Sequence, residues 1–154
     1  MRKLMLLVAI FGLAGLLWTA ENPFVGTWKL NVVRSNFNPP SSALKSDIVK
    51  IEAQDNGLKF TFDRMDAEGK SMHIEEAPKF DGKDYPYKGD AAADTVSLRR
   101  IDANTFEQVN KKDGKDVISV RVAIAKDGKS STVTAKTKDA KGQEVTSVSI
   151  YEKQ

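Results

Sequence analysis

Cysteine is absent from this chain, and histidine occurs only once, at His73. Without cysteine there are no disulfides and no thiolate chemistry, so burial of a core alone must hold the fold together. A structural zinc site needs three or four ligands, and this composition excludes one in practice. No recognisable motif pairs a serine or threonine with an activating base. We therefore expect no cofactor and no enzymatic activity.

Blocks of like charge are also absent. The chain carries 24 basic and 21 acidic side chains, and they are spread evenly along it. The lack of a basic block argues against nucleic acid and anionic membranes as partners. Two of the basic residues, Arg2 and Lys3, lie in the first 20 residues, and without them the formal charge falls from +3 to about +1. The charged residues therefore indicate a solvated outer face.

The only long hydrophobic run is residues 4–17, directly after the two basic residues. A short apolar run behind a positive start is typical of a signal peptide and is too short to span a bilayer comfortably. We expect a signal helix in residues 1–20, cleavage after Ala20, and export to the periplasm or the medium. An uncleaved anchor is the alternative. The folded domain would be residues 21–154, enough to bury a core.

Turn signals of the Asp-Gly and Asn-Gly type recur at short intervals after the leader, and no segment has a convincing helical period. Between the turns, apolar residues alternate with polar or small ones, as at Ile118, Val120, Val122 and Ile124. One buried and one wet face are typical of antiparallel sheets. Strands are predicted at residues 25–32, 46–54, 58–65, 70–78, 84–88, 95–101, 105–111, 116–125, 130–138 and 144–152.

This succession of strands predicts an all-β fold. An open sheet of ten strands would leave unpaired edges, whereas closure into a single up-and-down antiparallel β-barrel of about 8–10 strands removes them. The one long connection is predicted at residues 33–45, where Pro39 and Pro40 prevent either strand from continuing. The interior of such a barrel is filled by side chains or holds one small ligand. We expect a monomer.

Gly26 and Trp28 open the first strand, behind the leader and ahead of the meander. This arrangement resembles the start of the lipocalin and fatty-acid-binding (calycin) superfamily. The resemblance implies that Trp28 closes one end of the barrel and that a basic residue near the last strand packs across it, where this chain offers Lys153. The chain also resembles exported bacterial proteins of unassigned function that open with "GTWKLN" and carry strings like those at 81–86 and 93–105. Those relatives imply the same barrel and no activity.

Arg100 shares the alternation of Val96 and Leu98, so its guanidinium is predicted to point inward. A buried guanidinium needs an anionic partner. The resemblance to fatty-acid-binding proteins implies a ligand carboxylate as that partner. The alternatives are an internal salt bridge, with Glu76 as a candidate, or a position at the end of the strand.

Tyr85 and Tyr87 flank Pro86, which interrupts the ladder and predicts an edge or a gap in the barrel. Their hydroxyls would orient a polar head group or bond to the backbone. Phe37, in the long connection, would act as a lid or as a loop anchor. The predicted ligand-binding residues are thus Arg100, Tyr85, Tyr87, Phe37, Phe60 and Phe62, beside a structural motif of Gly26 and Trp28.

Three functions remain open at this point. The first is non-catalytic binding of a small, hydrophobic or amphipathic ligand in the barrel. The second is an envelope interaction or inhibitor module with a solidly packed barrel. The third is a haem or enzyme barrel that uses His73, but His73 is out of phase with Met72 and Ile74 and is predicted to point outward.

Overall fold

The protein, described as a computed structural model over residues 21–154, is built almost entirely of β-strands. The predicted signal peptide lies outside the described residues. The strands are β1 (Gly26–Asn36), β2 (Leu44–Gln54), β3 (Gly57–Asp66), β4 (Ser71–Glu76), β5 (Tyr85–Lys88), β6 (Thr95–Asp102), β7 (Thr105–Lys112), β8 (Lys115–Ile124), β9 (Ser130–Lys138) and β10 (Glu144–Lys153). All ten predicted strands are confirmed.

The strands form one closed antiparallel barrel in which each strand pairs with its neighbours in sequence. Pairing of β1 with β10 closes the ring, so neither strand has a free edge. Because successive strands run in opposite directions, a residue's place along its strand fixes its height in the barrel. We call the end where β1 begins the base, and the opposite end the rim. No helix in residues 21–154 is long and apolar enough to cross a membrane.

The long connection is shorter than the predicted residues 33–45. β1 continues to Asn36, which pairs with Val148 of β10 beyond an irregular register that begins after Asn31. This added pairing keeps the chain in the barrel wall past the predicted strand end. The remaining connection, 37–43, contains one turn of 3₁₀ helix at Pro40–Ser42 and lies at the rim.

The hydrophobic core is concentrated at the base. The Phe24 ring meets the Phe106 ring edge-on at a centroid distance of 5.0 Å, and Leu58 is fully buried beside them. The indole Nε1 of Trp28 donates a hydrogen bond of 2.9 Å to the carbonyl oxygen of Phe24. The segment before β1 is thereby fixed across the base of the barrel.

β5 is the weakest part of the barrel wall. It pairs through two residues with β4 and through two with β6, whereas β2 and β3 pair through ten. Pro86 has no backbone N–H to donate to the ladder. The edge or gap predicted from Pro86 is wrong, because β5 pairs with β4 on one side and with β6 on the other. Pro86 instead lies in a short strand, which also carries Tyr87.

Candidate ligand-binding site

The barrel encloses a cavity of about 310 Å³. Most of its wall is apolar, because the inward positions of several strands carry aliphatic and aromatic side chains. The apolar lining includes Phe60 and Phe62 of β3, Ile118, Val120 and Val122 of β8, and Val133 of β9. The alternation predicted for β8 is confirmed, since its inward side chains all contribute to the wall.

Four of the predicted ligand-binding residues line this cavity, namely Phe37, Phe60, Phe62 and Tyr87. Trp28 of the predicted structural motif also contributes to the wall. The rings of Phe60 and Phe62 stack with an interplanar angle of 10° and a centroid distance of 5.9 Å. Phe37 approaches from the connection at the rim and packs against the core cluster. The aromatic part of the predicted site is therefore brought together at one cavity.

Arg100 does not line the cavity, which corrects its predicted position. It lies near the end of β6 that reaches the base, and its side chain is exposed. Its Cζ lies 5.2 Å from the centroid of the Phe24 ring and 4.9 Å from that of the Phe80 ring. The inward alternation of β6 ends before Arg100, because the base is already filled by aromatic rings. Of the alternatives given for Arg100, the structure shows the position at the end of the strand.

Tyr85 also lies away from the cavity, at the start of β5 near the base. Its hydroxyl donates a 2.8 Å hydrogen bond to Oδ2 of Asp81 on the surface. This bond to Asp81 raises the pKa of the Tyr85 hydroxyl. Tyr85 therefore serves the loop before β5, and Tyr87 is the tyrosine of the predicted pair that reaches the interior.

Gly26 has a specific packing role. A Cβ at this position would lie 2.7 Å from Cε of Lys153, and the glycine has a φ of 139°. The close passage of Lys153 brings its Nζ to 5.4 Å from the centroid of the Trp28 ring. A basic residue therefore packs across Trp28, as the calycin resemblance implies, and it is the lysine of the last strand.

A buried ion pair between neighbouring strands was not predicted. Asp47 of β2 is fully buried, and its Oδ2 accepts hydrogen bonds from Arg64 Nη2 at 2.8 Å and Nε at 3.2 Å. The hydroxyl of Tyr151 donates to the same oxygen at 2.7 Å. Burial would lower the pKa of Arg64, but the charge of Asp47 raises it overall. Burial, with the charge of Asp47, raises the pKa of Tyr151.

Arg64 replaces Arg100 as the arginine of the cavity wall. Two of its guanidinium nitrogens, Nη2 and Nε, donate to Asp47. Its Cζ lies 5.3 Å from the centroid of the Phe62 ring. The sequence carries a signal for this position, because Arg64 continues the alternation of Leu58, Phe60 and Phe62 by one step. Arg64 is not apolar, but its side chain points inward like those of the three residues before it in the alternation.

Glu76 ends β4 and is only 3% exposed. Neither of its carboxyl oxygens has a hydrogen-bond partner within residues 21–154. Burial raises the pKa of Glu76 to about 8, although the charge of Arg64 and the nearby amide of Gln108 oppose the rise. That amide does not complete a hydrogen bond with Glu76 and instead donates to Asn110 Oδ1 at 2.9 Å. Glu76 is therefore mostly protonated at pH 7.

Tyr87, Gln108 and Asn110 extend the polar side of the wall. Tyr87 and Glu76 are directly paired across β5 and β4. Burial raises the pKa of Tyr87, while the charge of Arg64 opposes the rise. At pH 7 the polar side of the cavity thus presents a phenol, amides and a guanidinium that is already paired with a carboxylate.

His73 lies on the outer surface, as predicted. Its Nδ1 is 2.7 Å from Oδ1 of Asp63, and it does not contribute to the cavity wall. The hydrogen bond with Asp63, and to a smaller extent the one with Glu75, raises the pKa of the His73 ring. Within residues 21–154, no group of three or more histidine, aspartate or glutamate side chains is placed to hold a metal ion.

No protein-family model matches this chain, and no curated protein matches its sequence. The fold and the geometry of the cavity are therefore the basis for a functional proposal.

Proposed function

We propose that this protein is an exported, non-catalytic binding protein that holds one small, partly apolar molecule inside its barrel. The observation that carries the proposal is the mainly apolar cavity of about 310 Å³. A dry cavity of about 150 Å³ is enough to bind benzene, so this cavity has room for a ligand of roughly twice that size. Export rests on the signal-peptide pattern of residues 1–20.

The two sides of the cavity suggest how the ligand lies. Its apolar body would pack against β8, where Val120 and its inward neighbours form a continuous aliphatic surface. Its polar end would meet Tyr87 and the amides of Gln108 and Asn110 on β7. Tyr87 thus keeps the orienting role predicted for the tyrosine pair, whereas Arg100 and Tyr85 lie away from the cavity.

The cavity also favours binding over the alternative of a solidly packed interaction or inhibitor module. A packed barrel would leave space for a water molecule or two, each with about 30 Å³ in the liquid. A non-catalytic role fits the polar side, because Asp47, Arg64 and Tyr151 are bonded to one another. The only histidine is outside the cavity, so it cannot activate one of the serines in its wall.

Calorimetric titration with 4-phenylbutanol tests this proposal, because the molecule has an apolar body, one hydroxyl and no charge. We expect one molecule to bind per chain. Val120→Trp would place a large ring in the cavity and weaken binding at least tenfold. Arg121→Trp adds the same ring to the outer face of β8 and should bind like the parent protein.

Circular dichroism first establishes that both variants are folded, and Ala135→Phe is a second substitution that fills the cavity. Absence of saturable binding to the parent protein would contradict the proposal. Equal binding by the parent and both filled variants would contradict it as well, because the site would then lie outside the barrel.

A further inference from the structure

Three buried carboxyl oxygens beside the cavity have no hydrogen-bond partner within residues 21–154: Oδ1 of Asp47 and both oxygens of Glu76. Buried polar atoms are nearly always satisfied in folded proteins, so each exception needs an explanation. All three atoms are carboxyl oxygens. When both carboxyl groups are ionised, the barrel interior is therefore short of hydrogen-bond donors.

Most of the ionisable groups around the cavity are acidic. Arg64 and Asp90 line it, and Asp47 and Glu76 are buried in the wall. When all four are ionised, three negative groups surround one positive group. The guanidinium of Arg64 already binds Asp47 through two nitrogens, so a ligand carboxylate would meet an arginine whose charge is largely compensated.

We infer that the ligand of this cavity carries an amine, and that its ammonium group is held on the side of Glu76, between the carboxyl groups of the wall. This inference rests on the proposed binding function and names the chemical class of its ligand. The three N–H groups of an ammonium supply the missing donors, and its charge offsets the excess of carboxylates. The aromatic rings of Phe60, Phe62 and Tyr87 in the same wall are further favourable neighbours of a cation.

The carboxyl oxygens of Glu76 are covered by neighbouring side chains, so the ammonium reaches them when part of the wall moves. Tyr87 is the side chain best placed to move. It is paired directly with Glu76, and it lies on β5, whose ladders contain two residue pairs on each side. A local opening at this short strand breaks fewer backbone hydrogen bonds than an opening elsewhere in the wall.

Binding of an ammonium would change the ionisation of Glu76. At pH 7 the buried carboxyl group is mostly protonated, and an ammonium beside it favours the carboxylate. The proton then leaves to solvent as the ammonium–carboxylate pair forms. The other ionisable groups around Glu76 and Tyr87 are Arg64 of β3, Asp47 of β2 and Asp90 after β5.

The experiment is a calorimetric comparison of 4-phenylbutylamine, 4-phenylbutanol and 4-phenylbutyrate, which share one apolar body. We expect the amine to bind at least tenfold more tightly than the other two. Titrations in phosphate and in Tris at pH 7 should report release of protons with the amine, because burial raises the pKa of Glu76 to about 8. The alcohol should release none.

Two glutamine substitutions complete the test. Glu76→Gln should weaken binding of the amine at least tenfold, abolish proton release and leave binding of the alcohol unchanged. Glu75→Gln alters the adjacent, exposed side chain on the outer face of β4 and should bind like the parent.

The outcomes separate the two proposals. Tighter binding of the carboxylate than of the amine would overturn the ligand class but leave a binding barrel. Equal loss of amine binding in both glutamine variants, or undiminished binding in Glu76→Gln, would also overturn it. If none of the three compounds binds, the proposed binding function itself is contradicted.

Discussion

The side chain of Glu76 lies in an unfavourable environment for a carboxyl group. It is 3% exposed, and its carboxyl oxygens lack hydrogen-bond partners within residues 21–154. A charged carboxylate in such a place is costly, so the folded protein keeps the proton. The unfolded chain does not, and this difference makes stability depend on pH.

Glu76→Gln should therefore stabilise the protein above pH 5. Between the ordinary pKa of 4.5 and the folded pKa of about 8, the unfolded state binds fewer protons than the folded state. The free energy of unfolding therefore falls as pH rises through this window, by up to about 5 kcal/mol by pH 8. Below about pH 4.5 Glu76 contributes no such difference.

Urea denaturation of the parent, Glu76→Gln and Glu75→Gln at pH 5, 6.5, 8 and 9 measures this effect. The gap between the parent and Glu76→Gln should widen from pH 5 to pH 8 and then stay constant, whereas Glu75→Gln should follow the parent. Parallel curves for the parent and Glu76→Gln would mean that Glu76 ionises normally in the folded state.

The pair of Asp47 and Arg64 should behave as a coupled unit. Asp47→Asn leaves a largely buried guanidinium without its carboxylate, which costs about 3 kcal/mol of stability. The double variant Asp47→Asn with Arg64→Met removes that stranded charge and should be more stable than Asp47→Asn alone.

Chemical denaturation of the parent, both single variants and the double variant gives the coupling energy. As a surface control, Glu144→Gln breaks the exposed pair with Lys136 and should change stability little. Additive effects of the two buried substitutions would contradict the coupling.

At the scale of the strand, the sequence predicts which segments form the barrel wall better than it predicts strand registers and the positions of polar side chains. All ten strands and the inward alternation of β8 follow from apolar residues at every second position, because a half-buried strand needs one apolar face. Phe60, Phe62 and Tyr87 could be placed in the interior on the same ground. The registers between strands could not, because they depend on turns and on pairing with distant segments.

The two arginines illustrate the limit of this reasoning. Arg100 and Arg64 both continue an inward alternation of apolar residues, and period 2 alone treats them alike. Arg64 enters the interior because fully buried Asp47 lies opposite it on β2. Arg100 stays outside because its strand ends at a base filled by Phe24 and Phe80. The difference comes from partners that lie far away in sequence.

The short strand β5 depends on a close approach at Gly89, which follows it. A Cβ there would lie 2.0 Å from the carbonyl oxygen of His73 on β4, and the φ of Gly89 is 107°. Gly89→Ala should therefore cost at least about 2 kcal/mol more than Gly128→Ala. Gly128 has a positive φ of 70° but open space around it, so its substitution costs only about 1 kcal/mol.

Denaturant unfolding measures both costs, and hydrogen exchange locates them. In Gly89→Ala the amides of β4 and β5 should exchange faster than in the parent, with those of β9 and β10 changed least. Equal stability of the two alanine variants would indicate that β5 is not held by this contact.

At the scale of the whole molecule, the barrel is filled at one end and hollow above it. Trp28, Phe24 and Phe106 pack the base, so the domain has a core without disulfides. The closed ladder supports a cavity of about 310 Å³ beyond that core. A protein that needed only a stable scaffold would gain packing energy by filling this space.

Native mass spectrometry of the protein purified from the organism that makes it tests the binding function most directly. We predict a species heavier than the polypeptide by the mass of one small molecule, which gentle activation releases. Val120→Trp, expressed and purified in the same way, should carry no such molecule, whereas Arg121→Trp should. Only the bare polypeptide mass for the parent, in spectra that preserve weak complexes of a reference binding protein, would contradict the account.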